Sequence, residues 1–293
     1  MATEQTAVAP KTAVLALSSS GVELMGNLWS LPLEVLRSTI RVNKKTFSDI
    51  RDVDAQRLLP MLKPGAKTSV RFAELSDALQ TLLDLRGAGV EEALVITPSV
   101  EVSQCFWVYQ EIPGLLEGRM NVTVYDSKTA GPAEGYMALH AAQMALEGRS
   151  VEDITASLDV LGDNCETVFC LDSPGRMSKE GLLSLGPIAS GLLGMKPLAS
   201  LRKGRLSVLG KFRKADRAAA ALAEWLNTRA GAGQPVSAIL ADCCDGSERE
   251  RFLRQIKIPL AMEIELPASV AARTGPILGA AVFAGYKKLP ALQ

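Results

Sequence analysis

Short apolar runs alternate along the first half of the chain with longer segments in which apolar residues recur every three or four positions. The apolar runs predict buried strands at residues 12–17, 93–96 and 122–125. The three-and-four spacing predicts amphipathic helices at residues 73–85 and 135–147, with Gly148 closing the second and Ser150 capping a further helix. Strands that alternate with helices favour a mostly parallel sheet with helices on both faces.

The second half of the chain repeats this alternation around one long alanine-rich helix. Strands are predicted at residues 166–171, 206–209, 236–240, 258–265 and 277–283. The long helix spans residues 214–229, and a glycine-punctuated apolar segment at residues 186–198 predicts a helix that runs into a turn at Lys196-Pro197. The predicted fold class is therefore α/β, two-lobed, with a mostly parallel sheet and flanking helices plus a second α/β lobe.

The boundary between the two lobes is predicted around residues 160–166. No segment rich in Pro, Gly or Ser interrupts the pattern there, so we expect packed lobes instead of tethered ones. We predict a disordered N-terminal tail at residues 1–11, an N-terminal α/β lobe at 12–163 and a C-terminal α/β lobe at 164–293.

The composition is that of a globular protein and excludes several classes. The 293 residues are 47% hydrophobic and 22% charged, and 32 Lys and Arg balance 32 Asp and Glu, so no basic field favours nucleic acid. No apolar run reaches the roughly 20 residues that span a bilayer. The N-terminal segment lacks a secretion-signal pattern, and the 5 cysteines lack a disulfide-framework spacing. We therefore expect a cytoplasmic protein with no integral membrane segment.

Few residues have the spacing that catalysis or metal binding requires. His140 is the only histidine and lies in an alanine-rich helical pattern, which argues against a Ser-His-Asp triad or a multi-histidine zinc site. Cys243 and Cys244 are adjacent and lack CxxC spacing, and the Gly-rich loop at residues 231–233 follows a helix instead of a strand. We predict no catalytic residue, no metal and no cofactor.

Hydroxyl side chains cluster where predicted strands end or helices begin. They are Ser18 to Ser20 after the first strand, Ser99 and Ser103 after the strand at residues 93–96, and Thr68 with Ser69, which are predicted to open the helix near Phe72. Hydroxyls at helix starts are commonly N-caps, but the carboxyl ends of parallel strands are also where ligands bind in open α/β sheets. Free backbone N–H groups with hydroxyls suit a carboxylate or a phosphate.

A series of short motifs resembles the DegV family, in the family's order and over residues 12–286. The motifs are Lys67-Thr68-Ser69, residues 94–103, Val124-Tyr125-Asp126-Ser127, residues 147–154, residues 186–213, Thr274-Gly275-Pro276 and Gly285-Tyr286. Each motif is short, but their shared order and spacing make the resemblance specific.

This resemblance implies the two-lobed EDD fold and a bound long-chain fatty acid, as in the B subunit of fatty-acid kinase. The acyl chain would lie in the C-terminal lobe and the carboxylate between the lobes, where some members present it to an ATP-dependent fatty-acid kinase subunit for phospholipid synthesis. The predicted ligand-binding residues are Thr68, Ser69, Ser99, Ser103, Gln104, Arg273, Thr274 and Gly275. An apolar tunnel is predicted along residues 182–195 and 277–283, whose Gly and Ala leave room beside the backbone.

The sequence departs from the family pattern around the carboxylate. Arg273 stands where the family has histidine, Leu182 where it has arginine, and Gln104-Cys105 where Gly-Thr follows Ser103. Arg273 can hold a carboxylate by itself as a bidentate donor. The alternative is a surface arginine beside a site that no longer binds.

The leading hypothesis is a fatty-acid carrier with no chemistry of its own. An alternative is a divergent member that binds another acidic lipid or acts as a regulatory subunit, which the altered carboxylate residues motivate. An acyl-ester hydrolase with Ser103 as nucleophile is disfavoured, because the sequence places no base beside that serine.

Overall fold

The computed structural model of the protein describes residues 10–63, 65–171 and 194–292, which form two large β-sheets, a small third sheet and surrounding helices. The strands are β1 Thr12–Leu17, β2 Leu33–Leu36, β3 Thr39–Val42, β4 Lys45–Ser48, β5 Thr68–Arg71, β6 Glu92–Thr97, β7 Asn121–Asp126, β8 Cys165–Leu171, β9 Lys196–Arg202, β10 Arg205–Phe212, β11 Val236–Asp242, β12 Leu260–Glu265 and β13 Ile277–Ala284. The α-helices are α1 Ala55–Leu58, α2 Leu75–Gly87, α3 Cys105–Tyr109, α4 Ile112–Leu115, α5 Pro132–Leu146, α6 Val151–Asp163, α7 Ala215–Ala230, α8 Gly246–Leu253 and α9 Ala268–Thr274.

The first large sheet consists of parallel strands in the order β2-β1-β6-β7. Every residue of β1 is buried, because α2, α3 and α4 contribute apolar side chains to one face of the sheet and α5 and α6 to the other. A strand buried on both faces needs a continuous apolar sequence instead of an alternating one. The strands predicted at residues 12–17, 93–96 and 122–125 are confirmed.

The second large sheet has the strand order β10-β9-β8-β13-β11-β12 and is antiparallel except for the parallel pair β11 and β12. Helices α7 and α8 pack on its outer face, whereas α5 and α6 pack on its inner face. Helix α5 therefore lies between the two sheets, with most of its residues buried. The predicted α/β class is confirmed, with the parallel sheet and flanking helices in one lobe and a second α/β lobe beside it.

The chain passes from the helices of the first sheet into the second sheet between Asp163, which ends α6, and Cys165, which begins β8. Helix α9, from the C-terminal part of the chain, packs against α1, β3 and β5 of the N-terminal part. The limits of the two lobes stay a prediction. Residues 1–9 of the predicted tail lie outside the described residues.

The small third sheet has the antiparallel order β4-β3-β5 and corrects one prediction. Thr68 and Ser69, predicted to open a helix, lie in β5, and the helix begins later, at Leu75. Their strand pairs with β3, where Val42 faces Thr68 and Ile40 faces Val70. Pairing with a segment some twenty-five residues away decides this conformation, and local periodicity does not reveal it.

The predicted turn at Lys196-Pro197 is also wrong, because both residues belong to β9. Pro197 pairs with Lys211 of β10, whereas the pairing of β9 with β8 extends only from Leu201 to Leu198. Pro197 therefore lies where the strand has a registered neighbour on one side only, which is the position a proline tolerates within a sheet. Residues 186–193 of the predicted helical segment 186–198 lie outside the described residues.

A buried carboxylate ties three distant parts of the chain together. Asp49, which has no exposed surface, accepts a hydrogen bond from Ser18 Oγ at 2.7 Å and another from the backbone N–H of Ser269 at 2.9 Å. The Ser269 hydroxyl also donates to it, and Ser38 N–H donates to Ser18 Oγ at 3.0 Å. The network joins the end of β1, the loop after β4 and the first turn of α9. Burial raises the pKa of Asp49, while the hydrogen bonds from Ser269 and Ser18 oppose that rise.

Replacing this carboxylate should destabilise the whole fold. Asp49→Ala leaves the buried Ser18 hydroxyl and Ser269 N–H without their acceptor, so we expect a loss of roughly 3 kcal/mol in the free energy of unfolding. Denaturant unfolding followed by circular dichroism measures it, with the exposed Asp84→Ala on α2 as the matched control. A loss for Asp49→Ala no larger than that of the control would contradict the assigned role.

Candidate ligand-binding site

A cavity of about 860 Å³, counted to include its opening, lies between the two large sheets at the start of α5. One wall comes from the loops that follow β1, β6 and β7 and from the first turn of α5; a second comes from β8, β9, β11 and β13; and α9 forms a third. The carboxyl ends of parallel strands border it, as expected for an open α/β sheet.

The wall formed by the second sheet is apolar. Its lining includes Phe169, Leu201, Ala241, Ile277 and Ala280. A Cβ placed on Gly279 would lie only 2.9 Å from the carbonyl oxygen of Val168 and from Phe169 Cβ, so β13 approaches β8 closely at that point. This wall can accommodate an aliphatic chain.

The opposite walls carry the polar side chains. Ser19, Ser103, Ser269, Arg273 and Thr274 line the cavity there. Ser103 is nearly buried, and its Oγ accepts a hydrogen bond from Cys105 N–H at 3.3 Å, which fixes the turn that leads into α3. A polar wall opposite an apolar one suits an amphipathic ligand.

Arg273 occupies the last turn of α9 and reaches towards β5. Its Nη2 donates to the carbonyl oxygen of Val70 at 3.4 Å, and the side chain is half-buried. Because Ser269 is anchored to Asp49 at the first turn of the same helix, the network around Asp49 also sets the position of Arg273. Arg273 therefore presents a fixed positive charge at the polar side of the cavity.

Cys105, the first residue of α3, is a buried thiol beside the turn that holds Ser103. Burial is the main cause that raises the pKa of this thiol to about 12, and the Ser103 hydroxyl and the charge of Arg273 oppose the rise. Cys105 is therefore protonated at neutral pH. Ser103, Glu134 and Arg273 all line the same cavity.

The structure brings some of the predicted site residues together and leaves others apart. Ser103, Arg273 and Thr274 are on the cavity wall. The remaining predicted residues lie outside that wall, namely Thr68, Ser69, Ser99, Gln104 and Gly275. Whether each contacts a ligand stays a prediction.

The residues outside the wall have roles that their positions explain in part. Ser99 Oγ accepts from Glu101 N–H at 3.2 Å, Gln104 is exposed just before α3, and Gly275 ends α9 at a φ of 73° that favours glycine. The Thr68 hydroxyl is buried on β5 and has no hydrogen-bond partner among the described residues. Thr68 lies two residues from Val70, the residue that Arg273 contacts.

The predicted tunnel is only partly within the described residues. Ile277, Gly279 and Ala280, from the predicted segment at 277–283, line the cavity. Most of the other predicted segment, 182–193, lies outside the described residues. Its contribution to the cavity stays a prediction.

The histidine and the adjacent cysteines lie away from the cavity wall. His140 Nε2 lies 3.0 Å from Ser157 Oγ, and the ring stacks on Tyr136 at 6.2 Å between centroids. Burial raises the pKa of Cys243 to about 12, so this thiol does not ionise near neutral pH. Both observations describe packed residues, as the sequence pattern indicated.

Glu134 is the site residue that the sequence analysis missed. It is the third residue of α5, lies in the cavity wall and has no exposed surface. Desolvation raises its pKa well above the ordinary value; the backbone N–H of Gly131 opposes this rise and the charge of Asp126 adds to it. Periodicity could not reveal it, because α5 is buried almost all round and has no regular polar face.

The fold and the cavity define a class of two-sheet α/β proteins with a ligand site between the sheets. The family model of the DegV family matches residues 27–284, and the chain belongs to this family. A DegV domain-containing protein of Caldanaerobacter subterraneus is 25% identical over 251 residues, which cover 84% of this chain and 86% of the relative.

Solved structures share the whole fold. A DegV family protein from Thermus thermophilus, described for its fatty-acid binding, superimposes with a TM-score of 0.79 at 19% identity and covers 94% of this chain and 99% of its own. DegV from Bacillus subtilis, a fatty-acid-binding protein, gives a TM-score of 0.80 at 17% identity, with coverages of 94% and 100%. A stearic-acid-binding protein from Eubacterium ventriosum gives 0.76 at 17% identity, with coverages of 94% and 99%. At these identities the likeness establishes the fold.

The described part of the chain lacks two further features. None of its helices combines the length and the apolar character that a membrane crossing requires. Within residues 10–63, 65–171 and 194–292, no three His, Cys, Asp or Glu side chains converge as metal ligands.

The buried carboxyl of Glu134 should make stability depend on pH. Above about pH 4.3 the unfolded chain loses the Glu134 proton while the folded protein keeps it, so the folded state loses stability as pH rises towards the raised pKa. Glu134→Gln removes this titration. The variant should therefore gain stability relative to the wild type between pH 5 and pH 8, by at least about 1.4 kcal/mol, the value of one pKa unit.

Denaturant unfolding of both lipid-free proteins at the two pH values measures this gain, with the exposed Glu117→Gln as the matched control. A difference between wild type and Glu134→Gln that stays constant with pH would contradict the assigned protonation.

Proposed function

We propose that this protein binds a long-chain fatty acid, with the acyl chain against the second sheet and the carboxylate beside Arg273 and Ser103. The observation that carries the proposal is the cavity itself, in which an apolar wall faces a wall that holds a buried serine and an arginine. Membership of the DegV family and the fatty-acid-binding solved structures support it.

The energetics of such a ligand fit the two walls. Each methylene removed from water contributes about 0.8 kcal/mol, so a long chain gains affinity without polar contacts. A carboxylate drawn from water into the cavity needs a partner, because an unpaired buried charge is very costly. Arg273 supplies a charge that persists at all ordinary pH values, and its planar fork matches two carboxylate oxygens.

Residues behind the wall support the same position for the head group. Thr68 keeps a buried hydroxyl with no partner among the described residues, two positions from the carbonyl that Arg273 contacts. Because of this proximity, we include Thr68 and Ser69 among the residues that contact the head group. Ser99 and Gln104 lie in the turn around Ser103, and Thr274 and Gly275 end the helix that carries Arg273.

Binding fits the site better than catalysis. Among the described residues, no base is in contact with the Ser103 hydroxyl: His140 bonds Ser157, and Cys105 is a protonated thiol. A serine without a base is a weak nucleophile. We therefore propose a cytoplasmic carrier that presents the carboxylate between the N-terminal lobe, 12–163, and the C-terminal lobe, 164–293, to an ATP-dependent fatty-acid kinase subunit.

Identification of the lipid that co-purifies with the protein tests this function. Organic extraction and mass spectrometry should recover a long-chain fatty acid near one per chain. Recovery of a different acidic lipid would favour the divergent carrier, which the arginine at position 273 motivates. Hydrolysis of an acyl ester by the purified protein would favour an enzyme, and an empty cavity that takes up no added palmitate would contradict the proposal.

The charge of Arg273 should discriminate between an acid and its ester. Arg273→Leu removes the cation but keeps an apolar side chain, so palmitate should bind about 10–100-fold more weakly, while methyl palmitate should change little. Fluorescence displacement with both ligands measures these affinities. The control is Arg254→Leu, which removes the same charge at an exposed position. Equal losses of affinity for the acid and the ester would show that Arg273 is not the counter-ion of the carboxylate.

Filling the cavity should block the chain. Val270, on the cavity-facing side of α9, is half-buried, whereas Val160 on α6 is 57% exposed. Val270→Phe should therefore lower palmitate affinity by at least about tenfold, the effect of 1.4 kcal/mol, while Val160→Phe leaves it unchanged. Circular dichroism checks that both variants fold. Wild-type affinity in a folded Val270→Phe variant would place the chain elsewhere.

A further inference from the structure

Glu134 is a buried acid in the cavity wall whose carboxyl group makes no hydrogen bond to the residues that the structure describes. Both carboxyl oxygens are buried, and neither has a hydrogen-bond partner among the described residues. The backbone N–H of Gly131 lies near enough to favour the ionised form but not at hydrogen-bond geometry. Buried polar groups are nearly always partnered, so an unsatisfied carboxyl in a cavity wall indicates that a ligand supplies the partner.

The contrast with Asp49 strengthens this point. Asp49 is equally buried, but Ser18 and Ser269 donate hydrogen bonds to it. The hydrogen bonds to that carboxylate connect distant parts of the chain and stabilise the fold. Glu134 makes no such hydrogen bonds within the described residues, and a leucine of similar size would avoid the desolvation penalty that it carries.

The charges around Glu134 favour its neutral form. Asp126, at the end of β7, disfavours a second negative charge, and Cys105 on α3 is itself protonated. Arg273 lies on another wall of the same cavity, formed by α9, and no ion pair between it and Glu134 occurs within the described residues. The sequences of β1, Ser18–Ser20 and β13, which pack around α5, contain no titratable side chain.

Three acidic groups near or on other elements that pack against α5 are engaged with cations. Glu23 pairs with Arg37, Glu166 on β8 pairs with Arg229, and Asp242 on β11 pairs with Arg249. The arginines of these three pairs are bound to other acids and do not pair with Glu134. The side chain is therefore a carboxylic acid with an O–H to donate.

We propose that Glu134 is a ligand-specificity residue which, as a neutral acid, donates a hydrogen bond to the carboxylate of the bound lipid, opposite the cation of Arg273. This assignment rests on the proposed fatty-acid-binding function. The head group then carries one negative charge, Arg273 one positive charge and Glu134 none, so the enclosed site is neutral. No bond is broken and the proton stays on Glu134. An ester offers a weaker acceptor and no charge, so the pair selects a free carboxylate.

Three variants and two ligands test this role. Glu134→Gln keeps a neutral donor of similar shape, Glu134→Leu removes the donor, and the exposed Glu117→Gln is the control. Dissociation constants for palmitate and methyl palmitate are measured from pH 6.5 to 9.5. Infrared difference spectra between wild type and Glu134→Gln report the protonated carboxyl band directly, with and without palmitate.

The expected results separate hydrogen bonding from packing. Glu134→Leu should weaken the binding of palmitate by about 10–100-fold, which is the effect of losing one hydrogen bond to a charged group. The affinity for methyl palmitate should stay within about threefold of the wild-type value. Wild-type affinity should fall at the pH where the infrared band disappears, whereas Glu134→Gln should stay flat. The band should shift when palmitate binds.

Two sets of outcomes overturn the assignment, and they are distinguishable. Absence of the protonated band, a common pH profile for wild type and Glu134→Gln, or equal palmitate binding by wild type and Glu134→Leu refutes the role of Glu134 alone. Failure of the wild type to bind palmitate at any pH refutes the proposed function and this assignment with it.

Discussion

The buried hydrogen bonds to Asp49 are the interaction on which the rest of the structure depends. Donors from Ser18, at the end of the first parallel strand, and from Ser269, at the first turn of α9, meet on one carboxylate. Residues 220 positions apart in sequence are thereby fixed against each other. Since α9 carries Arg273 one turn later and forms a wall of the cavity, the same contacts set the polar side of the ligand site.

The two fully buried acids Asp49 and Glu134 differ in their hydrogen bonding. Asp49 is surrounded by donors, which lets a carboxylate persist without water and makes it a structural group. Glu134 lines a cavity, its carboxyl oxygens have no hydrogen-bond partner in the described part of the chain, and burial favours the neutral acid. Both acids are buried, so hydrogen bonding distinguishes them. The acid with protein donors stabilises the fold, and the acid without them is the one that we propose contacts the ligand.

The sequence predicted the buried strands well, because a continuous apolar run such as residues 12–17 is by itself typical of a strand buried on both faces. It failed at Thr68 and Ser69, whose strand depends on pairing with β3. The family resemblance led to Ser103 and Arg273, and both reach the cavity. Asp49 and Glu134 could not be predicted, because their partners, or the lack of them, arise only from tertiary packing.

The location of the head group tests the account most directly. A crystal structure of the protein with palmitate should place the carboxylate between Arg273 and Glu134, within hydrogen-bond distance of both, and the chain along Phe169 and Ile277. A carboxylate that points to solvent away from Arg273, or an acyl chain bound outside the space between the two sheets, would contradict it.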